Sequence, residues 1–87
     1  MGATIMTAWL RCRLDSGMFS DEVAVTYPAS TAQWQKSVFV PSSCVRGAEL
    51  KGEVKVVVLI KDGSKYAVLP SSQRDIVKVE GADLVQQ

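Results

Sequence analysis

Apolar residues recur at every second position over most of this chain, and no other feature constrains its fold as strongly. In residues 8–14 one set of alternate positions is apolar, namely Ala8, Leu10, Cys12 and Leu14. Such alternation is typical of a β-strand that buries one face and exposes the other. No stretch keeps the spacing of three and four residues that indicates an amphipathic helix. We therefore expect an all-β protein with at most a turn or two of helix.

Further strands are predicted between turn residues, at 23–27, 34–40, 53–60, 65–69 and 76–80. Asp62-Gly63 is a strong hairpin signal, because glycine adopts a positive φ without steric cost. The chain length allows a single domain, residues 1–87, around one core. Met6 is a second candidate for the first residue of the natural protein. If the natural protein begins there, residues 1–5 are an addition to it. Short strands favour five or six antiparallel strands in a small barrel, SH3-like or partly open.

The apolar faces of these strands supply the predicted core. Its members are Leu10, Cys12, Leu14, Val23, Val25, Val54, Val56, Val58, Ile60, Val68, Val77 and Val79. In residues 34–40 the alternation is ambiguous, and we place Val38 and Val40 inside.

The segment 53–60 is apolar on both faces, which predicts a central strand or one that a partner covers. A domain of this size has one core, so the second face of the strand needs another cover. Two-fold dimers are the commonest oligomers. We therefore predict a homodimer with Val57 and Leu59 at its interface.

Two segments of the chain resemble each other. Residues 22–25 read Glu-Val-Ala-Val and residues 53–56 read Glu-Val-Lys-Val, and each leads to a strand that ends in an apolar residue followed by Pro-Ser-Ser. Either two equivalent hairpins present two similar corners, or common β-strand composition produces the likeness. We favour the second interpretation.

Composition argues against catalysis and against nucleic acid as a partner. Ten Lys and Arg oppose nine Asp and Glu, and the two signs alternate along the chain. Nucleic-acid binders usually concentrate positive charge. The sequence has no histidine, the usual general base near neutral pH and the commonest zinc ligand. We therefore expect no enzyme activity, no catalytic residue, no metal and no cofactor.

The two cysteines, Cys12 and Cys44, are too few for the disulfide framework of a small secreted domain. We interpret them as buried, reduced thiols; a disulfide between them and a reactive thiol are the alternatives. No run of about 18 apolar residues is present, as a membrane helix would need. The N-terminus also lacks the positive region of a signal peptide. A cytoplasmic protein without a membrane partner is the expectation.

One candidate binding surface lies on the first strand. If Leu10 faces the core, Trp9, Arg11 and Arg13 share the opposite face. An aromatic ring flanked by arginines is typical of an interaction hot spot or of a platform for base stacking. The alternative is that Trp9 lies on a neighbouring strand, with a cation–π contact and with arginine stems covering apolar surface.

The run Gly17-Met18-Phe19-Ser20-Asp21-Glu22, the strand after it and the later Phe39-Val40-Pro41 resemble short bacterial proteins of unknown function. Some of those proteins are encoded on mobile integron gene cassettes. The resemblance implies a bacterial, cytoplasmic protein and assigns no role to any residue. Taken together, the sequence predicts a non-enzymatic, self-associating protein-interaction module. The alternative is a β-barrel that binds single-stranded nucleic acid through Trp9, Arg11 and Arg13.

Overall fold

The computed structural model describes residues 4–16, 20–28, 37–48 and 51–85. Within them lie eight strands: β1 Thr4–Ser16, β2 Glu22–Thr26, β3 Val38–Pro41, β4 Val45–Ala48, β5 Lys51–Lys61, β6 Ser64–Val68, β7 Ile76–Val79 and β8 Leu84–Val85. Two 3₁₀ turns, Ser42–Cys44 and Gly81–Asp83, are the helical elements of this part of the chain. None of the described segments is a helix that is long and apolar enough to cross a membrane. The prediction of an all-β protein is confirmed.

The strands form one antiparallel sheet that curls into a partly open half-barrel. Six strands follow the order β3-β2-β1-β5-β6-β7, while β4 pairs with β5 and β8 pairs with β1. The curl is built on two long strands that each change neighbour along their length. Strand β1 pairs with β5 over residues 4–12 and with β2 over residues 13–16. Strand β5 pairs with β4 over residues 51–54 and with β6 over residues 57–61.

The limits of several strands differ from the prediction. Strand β1 begins four residues before the predicted start at residue 8, because residues 4–7 pair with the end of β5. Strand β4 is absent from the prediction, since its sequence has no alternation and contains Gly47. Gly47 has a φ of +93°, and a Cβ there would lie 2.6 Å from the carbonyl oxygen of Lys51. Residues 34–36 of the predicted third strand lie outside the described residues.

The predicted core is largely confirmed. Its buried members are Leu10, Cys12, Leu14, Val25, Val54, Val56, Val58 and Val79, while Val23, Ile60 and Val77 are partly buried against them. Val40 is also buried, with Val38 partly buried beside it. The assignment of Val68 was wrong. Val58 pairs with Ala67, so Ala67 faces the core and Val68 points to the other face.

The predicted hairpin at Asp62-Gly63 joins β5 to β6. Both residues have a positive φ, 53° for Asp62 and 80° for Gly63, as a type I′ turn requires. The likeness between residues 22–25 and 53–56 does not extend to pairing. Phe39 pairs with Ala24, whereas its equivalent Val68 pairs with Val57, two residues beyond the equivalent of Ala24.

Tyr27 ties the end of β2 to the C-terminal 3₁₀ turn. Its hydroxyl donates to Asp83 Oδ2 at 2.7 Å and accepts a hydrogen bond from the Glu80 amide at 3.3 Å. Burial raises the pKa of Tyr27, and the hydrogen bond to the Asp83 carboxylate raises it further.

We expect Tyr27→Phe to lower the free energy of unfolding by about 1–3 kcal/mol, because a hydrogen bond to a charged group is lost. Urea unfolding measures this loss. Tyr66→Phe is the matched control, since no hydrogen bond from the Tyr66 hydroxyl is found among the described residues. We expect that control to stay within about 0.5 kcal/mol of wild type. Equal losses in both variants would contradict the assigned role of Tyr27.

Candidate interaction surface

One face of the sheet packs on the core, and we call the opposite one the outer face. Cross-strand pairing arranges its side chains in rows that run from β1 to β7. The first row is Ile5, Leu59, Tyr66 and Lys78, and the second is Thr7, Val57, Val68 and Ile76. We call the six apolar and aromatic members of these rows the apolar patch: Ile5, Val57, Leu59, Tyr66, Val68 and Ile76. Four strands therefore contribute neighbouring apolar side chains to one continuous surface.

Much of the apolar patch is accessible to solvent. Ile5 is 69% exposed, Ile76 is 60% exposed and Val57 is 40% exposed. Leu59, Tyr66 and Val68 are half-buried between them. A single exposed apolar residue is ordinary, whereas a contiguous group of them marks an interaction site or an aggregation hazard.

The two residues predicted at a dimer interface, Val57 and Leu59, lie in the patch on its central strand. Sequence reasoning missed the other four members, Ile5, Tyr66, Val68 and Ile76. Three of them, Tyr66, Val68 and Ile76, occupy short strands in which the alternation is too brief to assign a face. The sequence does contain a signal for Ile5. Met6 continues the inward-facing set of β1 by one position toward the N-terminus, and this places Ile5 on the opposite face.

The other half of the outer face is aromatic and charged. Trp9 pairs with Lys55 on one side and with Val85 on the other. Trp9 is half-buried, and the guanidinium carbon of Arg46 lies 4.0 Å from the centre of its ring. Arg46 also forms an ion pair with Glu53 on β5. Trp9 is thus stacked beneath an arginine that is itself held by a carboxylate.

The other two candidate binding residues also have contacts within the chain. Arg11 is exposed, and its Nη1 donates to the carbonyl oxygen of Ala82 at 3.2 Å. Arg13 Nε lies 3.4 Å from Asp15 Oδ2, and about four-fifths of both side chains is covered. The structure therefore places Trp9, Arg11 and Arg13 on one face of β1, but each already contacts another residue of the chain.

A groove opens on the outer face where β5 changes its neighbour. Lys55 and Val56 lie between the part of β5 that pairs with β4 and the part that pairs with β6. The groove has a volume of about 400 Å³. Lys55, Arg74 and Cys44 line it together with the apolar side chains of Val57 and Leu69.

The two cysteines are free thiols in different surroundings. Cys12 is buried in the core, as expected, and burial raises its pKa from an ordinary 9.0 to about 12, with a smaller contribution from Glu53. Cys44 is half-buried and faces the groove, so the expectation of two buried thiols is correct for Cys12 alone. No group of three or more potential metal ligands occurs among the described side chains.

The raised pKa of Cys12 predicts a loss of stability at high pH. Below pH 9 the thiol is protonated in both the folded and the unfolded state. Between pH 9 and about 12 only the unfolded state releases the proton. The free energy of unfolding therefore falls by up to about 1.4 kcal/mol per pH unit. At pH 10.5 the loss reaches about 2 kcal/mol.

Urea unfolding of wild type, Cys12→Ala and Cys44→Ala between pH 8 and 10.5 measures this effect. We expect the fall in stability to be shallower in Cys12→Ala than in wild type, whereas Cys44→Ala, which keeps Cys12, follows the wild-type curve. Parallel curves for all three proteins would show that Cys12 is not the group responsible.

The chain matches no protein-family model, and neither a curated protein nor a solved structure is detectably similar to it.

Proposed function

We propose that this protein is a non-enzymatic interaction module that forms a homodimer through the apolar patch of its outer face. The observation that carries the proposal is the patch itself, in which four adjacent strands present six apolar or aromatic side chains. Burial of apolar surface is the main favourable contribution to association. Val57 and Leu59 lie on β5, the strand whose two apolar faces first indicated a partner.

The charge of the patch favours a second copy as the partner. Lys78 is the one charged member of the two apolar rows, and it lies at their margin on the edge strand β7. A two-fold axis near Leu59 places the apolar side chains of one copy on those of the other. Such an interface is self-complementary and buries no unpaired charge at its centre.

The alternative, binding of single-stranded nucleic acid, has weaker support. A base would have to displace the guanidinium of Arg46 from Trp9 or stack elsewhere. Glu53 and Asp15 interrupt the positive charge of Arg11, Arg13 and Arg46. With the dimer we also propose a cytoplasmic location, where both thiols would remain reduced.

Sedimentation equilibrium at micromolar concentration tests the proposal. The dimer predicts an apparent mass approaching twice 9.4 kDa as concentration rises. A mass of one chain throughout the micromolar range would overturn it.

A further inference from the structure

We propose that the groove beside Lys55 binds a small amphiphile that carries a single carboxylate on an aliphatic tail. The observation is a pair of cationic side chains, Lys55 and Arg74, at a groove whose remaining walls are mainly apolar. A carboxylate would lie between the two cations, and the tail would cover the apolar walls. This inference goes beyond dimer formation. Val57 and Val68 belong to both the groove and the apolar patch, so the ligand and a second copy would compete for them.

The two cations come from separate elements that the fold holds in place. Lys55 stands on the outer face at the middle of β5, where its neighbours on either side along the strand are paired. Arg74 belongs to the turn between β6 and β7. The Arg74 amide donates to the carbonyl oxygen of Ser71 at 3.0 Å, and the Leu69 amide donates to that of Asp75 at 2.8 Å. These bonds hold the turn that positions Arg74 beside the groove.

The charge at the groove is of one sign. No carboxylate is among the described side chains that line it. The nearest acid in the same turn, Asp75, accepts a hydrogen bond from the Ser71 hydroxyl at 2.7 Å and does not line the groove. An anion therefore meets two cations and no opposing charge. A guanidinium and an ammonium together provide the donors that a carboxylate accepts.

The apolar walls of the groove determine the chemistry of the uncharged part of the ligand. Val57, which is 40% exposed, and the half-buried Val68 supply apolar surface beside the cations. The volume of about 400 Å³ lies in the range of small-molecule sites. An aliphatic tail gains free energy from covering these side chains, whereas a polyanion such as nucleic acid would leave them without a partner. The groove thus favours an aliphatic carboxylate over a phosphodiester chain.

Cys44 provides a built-in reporter of occupancy. It lines the groove, whereas the second thiol of the chain, Cys12, is buried in the core. A ligand in the groove should shield Cys44 from iodoacetamide. The rate of alkylation of the folded protein, followed by mass spectrometry, then gives the bound fraction at each ligand concentration.

The probe is octanoate, measured by Cys44 protection and by calorimetry. We expect saturable binding with a Kd on the order of 0.1–1 mM, as the ligand has few atoms. Lys55→Gln and Arg74→Gln should each weaken binding about fivefold or more. Lys61→Gln, an exposed lysine on the same strand but outside the groove, is the matched control and should bind as wild type does. Octanol, which lacks the charge, should bind at least about fivefold more weakly than octanoate.

Several results would overturn the inference. They are the absence of protection at millimolar octanoate in both the wild type and Ile5→Lys, equal binding of octanol, and an equal effect of Lys61→Gln. Protection of Cys44 by an oligo-dT strand or by inorganic phosphate, without protection by octanoate, would assign the groove to a phosphate-bearing ligand instead. The same titration on Ile5→Lys, whose substituted residue lies outside the groove, separates this inference from the dimer. Binding in that variant supports the groove whether or not the wild type dimerises.

Discussion

Replacing Leu59 by Lys is expected to convert the proposed dimer into a monomer at micromolar concentration. Leu59 lies in the apolar patch, between Ile5 on β1 and Tyr66 on β6. A two-fold interface contains each substituted residue twice, so two ammonium groups would be buried without partners. The few hot-spot residues near the centre of an interface contribute about 2 kcal/mol or more each, which corresponds to an increase in Kd of about 30-fold or more. Sedimentation equilibrium of the variant measures the change.

A second variant keeps this prediction testable if Leu59→Lys folds poorly. Ile5 is 69% exposed, so Ile5→Lys removes apolar surface from the patch with little effect on the core. Phe39→Lys is the matched control, because Phe39 is 44% exposed on β3 and lies outside the patch. We expect Ile5→Lys to dissociate and Phe39→Lys to remain dimeric. Dissociation of all three variants to the same degree would contradict the assignment of the interface to the outer face.

The second large effect is expected at Gly52, where β5 is paired on both sides. Gly52 is buried between Cys12 of β1 and Gly47 of β4. A Cβ at this position would lie 2.3 Å from Leu14 Cγ and 3.1 Å from the carbonyl oxygen of Ala48. Gly52→Ala therefore forces the whole Leu14 side chain to move. We expect a loss of about 1–3 kcal/mol in the free energy of unfolding, as is typical of an overpacked core.

A double-mutant cycle tests the cause of that loss. Leu14→Ala alone should cost about 2–5 kcal/mol, because it leaves a cavity. In the double variant the new Cβ occupies space that Leu14 has left. The two losses should therefore fall short of additivity by about 0.5–3 kcal/mol in urea unfolding.

The control cycle combines Leu14→Ala with Gly63→Ala. Nothing lies within 4 Å of a Cβ at Gly63, so its loss comes from the positive φ alone. The two losses should add to within about 0.5 kcal/mol. Simple additivity in the Gly52 cycle as well would contradict the clash with Leu14.

The sequence was sufficient for those features that depend on neighbouring residues. The alternation in β1 and β5 predicted strands and their buried faces, and Asp62-Gly63 predicted a hairpin. Each of these signals lies within a few residues along the chain, where backbone geometry sets the direction of successive side chains. The two apolar faces of β5 likewise placed Val57 and Leu59 outside the core, where the structure has them.

Other features were decided by tertiary structure. Val68 looked like a core residue, but the pairing of Val58 with Ala67 turns it outward, since a shift of one residue reverses every side chain of a strand. Strand β4, with Gly47, carries no alternation and forms because β5 offers it a partner.

The full extent of the apolar patch and the existence of the groove could not be predicted from the sequence. Ile5, Leu59 and Tyr66 are far apart in the chain and meet only through the register of three strands. Lys55 and Arg74 line the same groove only because β5 changes its neighbour from β4 to β6 near Lys55, and Arg74 lies in the turn that follows β6. The sequence by itself determined the strands and the inward face of the longest ones, because those follow from local backbone geometry. Tertiary structure decided the composition of the outer face, because cross-strand register depends on contacts between distant residues.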